Sequence, residues 1–147
     1  MNIITMLKQD HKKVKDILKQ LNNTTSKAAK TRQKLFATLV ENLTPHEKFE
    51  EKHLYPDLIQ TKKSKEKVLE AYEEHHVADL IIEELKKTPF NSEIWKAKLA
   101  VLKENLEHHI REEEEILFPF ANKTLSKTEL AEIGAEYQAK KDQLGLK

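Results

Sequence analysis

Histidine and glutamate stand four residues apart in "PHEKFEEKHLYP" as His46 and Glu50, and again in "LEHHIREEEEILFP" as His109 and Glu113. On a helix, residues four apart share a face, so each pair can turn an imidazole and a carboxylate toward one centre. Two further histidines lie on apolar stripes. His11 is in line with Leu7, Val14 and Leu18, and His75 is in line with Val68, Tyr72, Ala78 and Ile82. Among neighbouring histidines, His109 keeps the stripe of Leu102, Leu106, Ile116 and Phe120, whereas His108 is flanked by Glu104, Arg111 and Glu115. Four helices would thus each send one histidine inward, with Glu50 and Glu113 beside them. An unpaired carboxylate in an apolar interior costs several kcal/mol or neutralises itself. A pair of divalent or trivalent cations, bridged by the carboxylates and completed by imidazoles, removes that cost. Nitrogen and oxygen donors without thiolate suit iron, manganese or zinc.

Taken singly, an inward histidine is ordinarily a hydrogen-bonded core residue, and a glutamate in an acidic run is ordinarily solvated. An internal repeat decides between the readings. "ENL" at Glu41–Leu43 recurs at Glu104–Leu106, an offset of 63 residues. At the same offset His46 meets His109, Glu50 meets Glu113, Glu51 meets Glu114, and Leu54-Tyr55-Pro56 meets Leu117-Phe118-Pro119. Asp10-His11 corresponds to Glu74-His75 at an offset of 64. The candidate ligands repeat along with the leucines, as a two-fold bundle around a shared site requires. The remaining acids Glu112, Glu114 and Glu115 read as solvated or as outer partners, and His76 and His108 as peripheral. His53, seven residues after His46 on a similar face, stands as an outer partner or alternative ligand. Tyr55 and Phe118, beside the two prolines, are placed to close the ends of the site. A ferritin-like arrangement would need Glu-x-x-His on two helices and a lone Glu on the other two. Glu50–His53 and Glu73–His76 have that spacing, but the first helix holds no glutamate and the repeat partner of His53 is Ile116.

The elements that would carry these residues follow from periodicity. Ile4, Leu7, His11, Val14, Leu18 and Leu21 mark a first helix, closed by "NNTTS". A second pattern runs from Ser26 or Lys27 to about Leu58, with Pro45 inside it as a kink. A third spans about Ser64 to Lys86, and a fourth starts after Ser92, an N-cap with Glu93 in the first turn. A shorter amphipathic segment covers about 126–141. Gly 2 and Pro 4 among 147 residues leave few turns, which suits long helices. The expectation is all-α: an up-down-up-down four-helix bundle over about 3–122 with a short C-terminal fifth helix, one domain over 1–147. Lys+Arg 26 against Asp+Glu 25 gives +1, so no whole-chain field favours nucleic acid or an acidic membrane. Cys 0 excludes disulfides, iron–sulfur ligation and thiolate chemistry. The apolar run in "MNIITMLKQD" is too short for a signal peptide, and no segment is long enough to span a bilayer, so a soluble, cytoplasmic chain is expected. Oligomeric state is not legible.

At these residues the sequence resembles the hemerythrin-like family, the histidine–histidine–glutamate cation-binding domains, over roughly 3–120. The resemblance rests on "DH" in helix one, His46-x-x-x-Glu50 ending in "LYP", "EEHH" in helix three and His109-x-x-x-Glu113 ending in "LFP". It implies a non-haem centre of two iron ions, Fe2+/Fe3+, oxo- or hydroxo-bridged, with His11, His46, Glu50, His75, His109 and Glu113 as ligands. Oxygen-carrying members have a second histidine four residues after the helix-three ligand, where this chain has Asp79. They also place an aspartate five residues after the helix-four histidine, where this chain has Glu114 and reaches Glu113 at four. One imidazole fewer leaves an iron more open, or lets Asp79 or water take the place. That points away from reversible oxygen carriage and toward the bacterial stand-alone type, binding or reacting with O2, peroxide or NO at an open position. The alternative is an iron-dependent sensor or interaction module, or iron handling without turnover.

Overall fold

A computed structural model describes residues 1–147. Helix α1 (Ile3–Asn22) starts at Asn2, whose side chain accepts the Thr5 N–H, and satisfying that orphan donor fixes the helix start. Helices α2 (Ala29–Phe49), α3 (Lys62–Lys86) and α4 (Glu93–Glu112) complete the bundle. Thr61 and Ser64 cap α3 reciprocally, and Ser92 caps α4 by accepting the Trp95 N–H. Helix α1 packs along α2, and α3 along α4, in antiparallel pairs that also meet across α1 and α4. Buried Arg32 ties the ends of the two pairs together. Its guanidinium donates to the Thr24 hydroxyl and carbonyl and to the Phe90 carbonyl, and lies over the Trp95 ring. No helix is long and apolar enough to cross a membrane.

Two apolar layers flank the bundle's middle. One contains Val14, Leu18, Leu39, Leu43, Ala78, Leu99 and Leu106. The other contains Ile3, Leu7, Phe49, Leu54, Ala71, Leu117 and Phe118. Along each helix the inward histidine falls where the chain passes from one layer to the other, as at Leu7–His11–Val14 and Ala71–His75–Ala78. The polar layer is therefore sealed at both ends by packed hydrocarbon.

The second and fourth rods do not keep the pitch that periodicity predicts. After α2, residues Glu50–Leu54 form a π turn and Tyr55–Leu58 a 3-10 turn. After α4, residues Glu113–Leu117 form a π turn that continues into α5 (Phe118–Thr124). Each π turn begins on a candidate carboxylate, at positions equivalent in the repeat. Tyr55 N–H reaches back to the Glu50 carbonyl, and Phe118 N–H to that of Glu113. Pro56 then has no N–H for the Glu51 carbonyl, which accepts the Tyr72 hydroxyl instead. The wider turn adds a residue and rotates everything after it. Ile116, expected on the inner stripe, is 37% exposed, and Leu117 and Phe118 take the interior places. Pro45 sits inside α2. The fifth rod, α6 (Lys127–Gln143), runs two residues beyond the expected end, starts at a Ser126/Glu129 capping box and packs on α1.

Candidate metal centre

The four inward histidines and two carboxylates meet in the sealed polar layer. His11, His46, Glu50 and Glu113 bring ligand atoms within 4.8 Å of one another, and so do Glu50, His75 and His109. Glu50 is common to both groups. All six residues are buried, and Glu50 and Glu113 have no accessible surface. Glu50 Oε1 lies 3.3 Å from His46 Nε2 and 3.4 Å from His75 Nε2, between the two halves. Glu113 spans them likewise, with Oε1 3.0 Å from His11 Nε2 and Oε2 3.6 Å from His109 Nε2.

Each histidine is held from behind by a carboxylate on its other nitrogen. His11 Nδ1 meets Glu114 at 2.7 Å and His75 Nδ1 meets Glu51 at 2.7 Å. His46 Nδ1 meets Asp10 at 3.0 Å and His109 Nδ1 meets Glu74 at 2.8 Å. A carboxylate on Nδ1 fixes the tautomer and ring direction and leaves Nε2 facing inward, as metal-bearing histidines require. These four acids obey the repeat too, since Glu51 pairs with Glu114 and Asp10 with Glu74. Sequence reasoning noted Glu114 as a possible outer partner and missed the other three, although the repeat had flagged their positions.

Five buried side-chain atoms in this layer lack a hydrogen-bond partner wherever the facing imidazole nitrogen carries no proton: His11 Nε2, Glu47 Oε2, both oxygens of Glu50, and Glu113 Oε1. The only other such atom in the chain is Trp95 Nε1, so the unsatisfied polarity is concentrated here. With Nδ1 donating to Glu51 and Glu74, His75 Nε2 and His109 Nε2 face each other 3.1 Å apart, lone pair to lone pair unless a proton is shared. Nitrogen and oxygen donors left bare, preset and mutually repelling in a dry layer fit the demands of hard or borderline cations.

Without a cation, protons do the compensating. Burial pulls His75 down, but Glu50, Glu47 and Glu51 outweigh it and raise it to about 10. His11 and His46 are also raised against the effect of burial, by Glu113 and Glu114 and by Glu50 and Asp10 respectively. Burial pushes Glu50 up, yet the facing His46 and His75 hold it well below the usual carboxylate range. Glu47 goes the other way: burial, with the nearby Asp79 adding to it, pushes it up to about 8.

Glu47 is the inner residue that sequence reasoning missed. It follows His46, is buried, and places Oε2 3.7 Å from His75 Nε2. No repeat could reveal it, because its counterpart is Ile110, a buried apolar residue. Asp79, considered as an alternative ligand, is exposed on the outer side of α3. His53 is likewise outside the layer. It is 33% exposed, lies 3.3 Å from Glu136 and packs on Phe49, because the π turn rotates it outward as it does Ile116. Tyr55 and Phe118 do bound the site, stacked on His75 and His11 at 5.6 Å between ring centroids in each case. The Tyr55 hydroxyl donates to Glu113 Oε2 and lies 3.4 Å from His75 Nε2, a polar reach that Phe118 lacks.

A cavity of about 10 Å³, the room of one water, lies beside His109 and Glu113, bounded outward by Lys67, Glu112 and Ile116. A separate surface trio, Glu74, His108 and Glu112, stands outside the layer.

Comparison with known proteins shows what the chain as a whole is similar to. The hemerythrin HHE cation-binding domain matches residues 2–121. A crystal structure of a hemerythrin HHE cation-binding domain-containing protein from Mycobacterium kansasii, an Rv2633c homologue, superposes with a TM-score of 0.84 at 25% identity. It covers 98% of this chain and 87% of that one. A protein of Nostoc sp. strain PCC 7120 named as a DNA nickase is 26% identical over 144 residues. That similarity takes in 98% of this chain but only 40% of the relative, so the chain spans less than half of that protein's length.

Proposed function

The chain belongs to the hemerythrin HHE cation-binding domain family, and on that premise we propose that it holds two iron ions in the polar layer and binds or reacts with O2, peroxide or NO there. His11 and His46 would hold one ion and His75 and His109 the other, with Glu50 and Glu113 shared between them. Glu47 would stand beside the second ion, where Asp79 or water was considered, without closing the position left to a small ligand. Iron at these positions supplies one-electron redox change and affinity for diatomic ligands and peroxide.

The observation that carries the reading is the set of five bare donor atoms, together with four imidazoles each fixed on Nδ1 by a carboxylate. The chain's own contribution is placement and exclusion. The two apolar layers keep bulk water from the centre, and the Tyr55 hydroxyl holds one oxygen of Glu113. The cavity beside His109 and Glu113 has room for something the size of water, O2, NO or peroxide.

The test is iron content and a visible spectrum after anaerobic Fe2+ loading, followed by O2, peroxide, azide and NO. About two irons per chain with bands that change on adding a ligand support the reading. Protein that takes up no iron sinks it. Two irons indifferent to every added ligand would instead indicate iron handling or sensing. A nucleic-acid role is carried only by the name of the Nostoc relative, and conversion of supercoiled plasmid to open circles by the iron-loaded protein tests it.

A further inference from the structure

Helix α6 lies outside residues 2–121, and its buried face carries Leu130, Gly134, Tyr137 and Lys141 at helical spacing. A Cβ on Gly134 would run into the backbone of Met1, Asn2 and Ile3, so α6 sits directly against the start of α1. From that seat two side chains reach Asp10. The Tyr137 hydroxyl donates to Oδ2, the oxygen that also holds His46 Nδ1, and Lys141 Nζ donates to Oδ1 at 2.7 Å. Lys141 is itself buried, with its ammonium 5.1 Å from the Tyr137 ring centroid. A lysine is almost never buried without a specific partner, and here the partner is Asp10.

The other half of the bundle has no such brace. Glu74, the repeat counterpart of Asp10, has an 18% exposed side chain against 5% for Asp10. One Glu74 oxygen holds His109 Nδ1, while the other faces the exposed His108 at 3.3 Å. The water-sized cavity also opens on this side, at His109. So α6 breaks the two-fold symmetry at the layer behind the ligands, on the side away from the opening.

We propose that α6 makes the two cation positions unequal: Tyr137 and Lys141 are positioning residues that lock Asp10, and through it His46, so the His11–His46 position fills first and retains its ion while the His75–His109 position exchanges. This rests on the two-cation reading above. The outer partner of a metal-bound histidine is worth about 10- to 100-fold in affinity, and Asp10 is that partner for His46, so a brace that fixes Asp10 can claim a part of that range.

The experiment is an anaerobic titration of the full chain with Co2+, followed by absorbance. The wild type is expected to bind in two steps at least about tenfold apart. Tyr137→Phe and Lys141→Met weaken the first step by up to about tenfold and leave the second in place, Lys141→Arg restores it, and Glu74→Gln weakens only the second. Two equal steps in the wild type, or a Tyr137→Phe effect on both steps or neither, overturn the inference while leaving two cations bound. No binding at all overturns the two-cation reading itself. Should both α6 variants fail to fold, histidine NMR of the cation-free wild type decides. The His46 Nδ1–H must exchange with solvent more slowly than that of His109, and equal rates refute the brace.

Discussion

Glu50→Gln is the substitution that separates a cation site from a merely unusual core. Glu50 is fully buried, its Oε1 is 3.3 Å from His46 Nε2 and 3.4 Å from His75 Nε2, and it belongs to both ligand groups. Gln keeps the shape and removes the charge. In the cation-free protein, breaking a buried ion pair costs up to about 3–5 kcal/mol, but here the imidazoles can release protons, so a loss of about 1–3 kcal/mol is expected. The cation-bound protein would lose far more, because Glu50 stands between both histidine pairs and would help hold both ions. At a free ion concentration 100 times the weaker Kd, each wild-type site adds at least about 2.7 kcal/mol, so two add about 5 kcal/mol or more. At roughly 2–4 °C per kcal/mol for a chain of this size, iron should raise the wild-type Tm by about 10–20 °C. In Glu50→Gln the rise should fall below about 5 °C, and metal content should drop to one ion or none. The assay is an anaerobic melt followed by circular dichroism, with and without Fe2+, alongside metal analysis. Exposed Glu115→Gln serves as the control that leaves both unchanged. A Glu50→Gln protein that keeps two ions and the full rise would refute the bridging argument.

The pH dependence of the cation-free protein has a definite sign. His75, raised to about 10, contributes stability in full below about pH 6.5 that is lost as pH climbs through 10, and Glu47, raised to about 8, opposes folding increasingly above pH 4.5. Cation-free Tm should therefore fall between pH 6.5 and 9, while the rise on adding Zn2+ grows as protons cease to compete; a flat cation-free Tm across that window refutes it. Asp10, held at about 2 by His46, Lys141 and Tyr137 against the effect of burial, contributes about 2 kcal/mol above pH 3.8 that disappears as pH falls toward 2, visible in an acid titration followed by circular dichroism. Gly134→Ala forces a Cβ into the backbone of Met1 to Ile3 and should cost about 1–3 kcal/mol, read as a lower midpoint in urea with the slope unchanged. Tyr55→Phe removes a buried donor to Glu113 and should cost about 1.5–3 kcal/mol while leaving two ions per chain, measured by melt and metal analysis.

The helices and the six inner residues were legible because they depend on spacing within one rod and on a repeat between rods. Leu7, His11 and Val14 declare a face without reference to anything distant. What escaped depends on pitch or on contacts far along the chain. Nothing in the propensities of "EEKHL" or "EEEIL" announces a π turn, and one added residue was enough to send His53 and Ile116 outward. Glu47 has Ile110 as its repeat counterpart, so the pattern did not single it out, and only the folded bundle buries it beside His75. Tyr137 and Lys141 read as ordinary members of a charged amphipathic helix. Their partner Asp10 lies more than a hundred residues earlier, and no local period can express that.

The repeat and its failures together bear on mechanism. The inner ligands and the four carboxylates behind them are duplicated almost residue for residue, so ion-holding capacity is a property of the symmetric part. The departures from symmetry are Tyr55 against Phe118, Glu47 against Ile110, and Asp10 with its α6 brace against the partly exposed Glu74. Glu47, the Tyr55 hydroxyl and the cavity all fall on the His75–His109 side, whereas the brace falls on the His46 side. A symmetric pair of ions has no reason to prefer one end for a small ligand, since each would be equally shielded and equally donated to. If two ions bind as proposed, the cavity lies at the His75–His109 end and the α6 brace at the His46 end, so a small ligand would reach the first position while the second is the more firmly held.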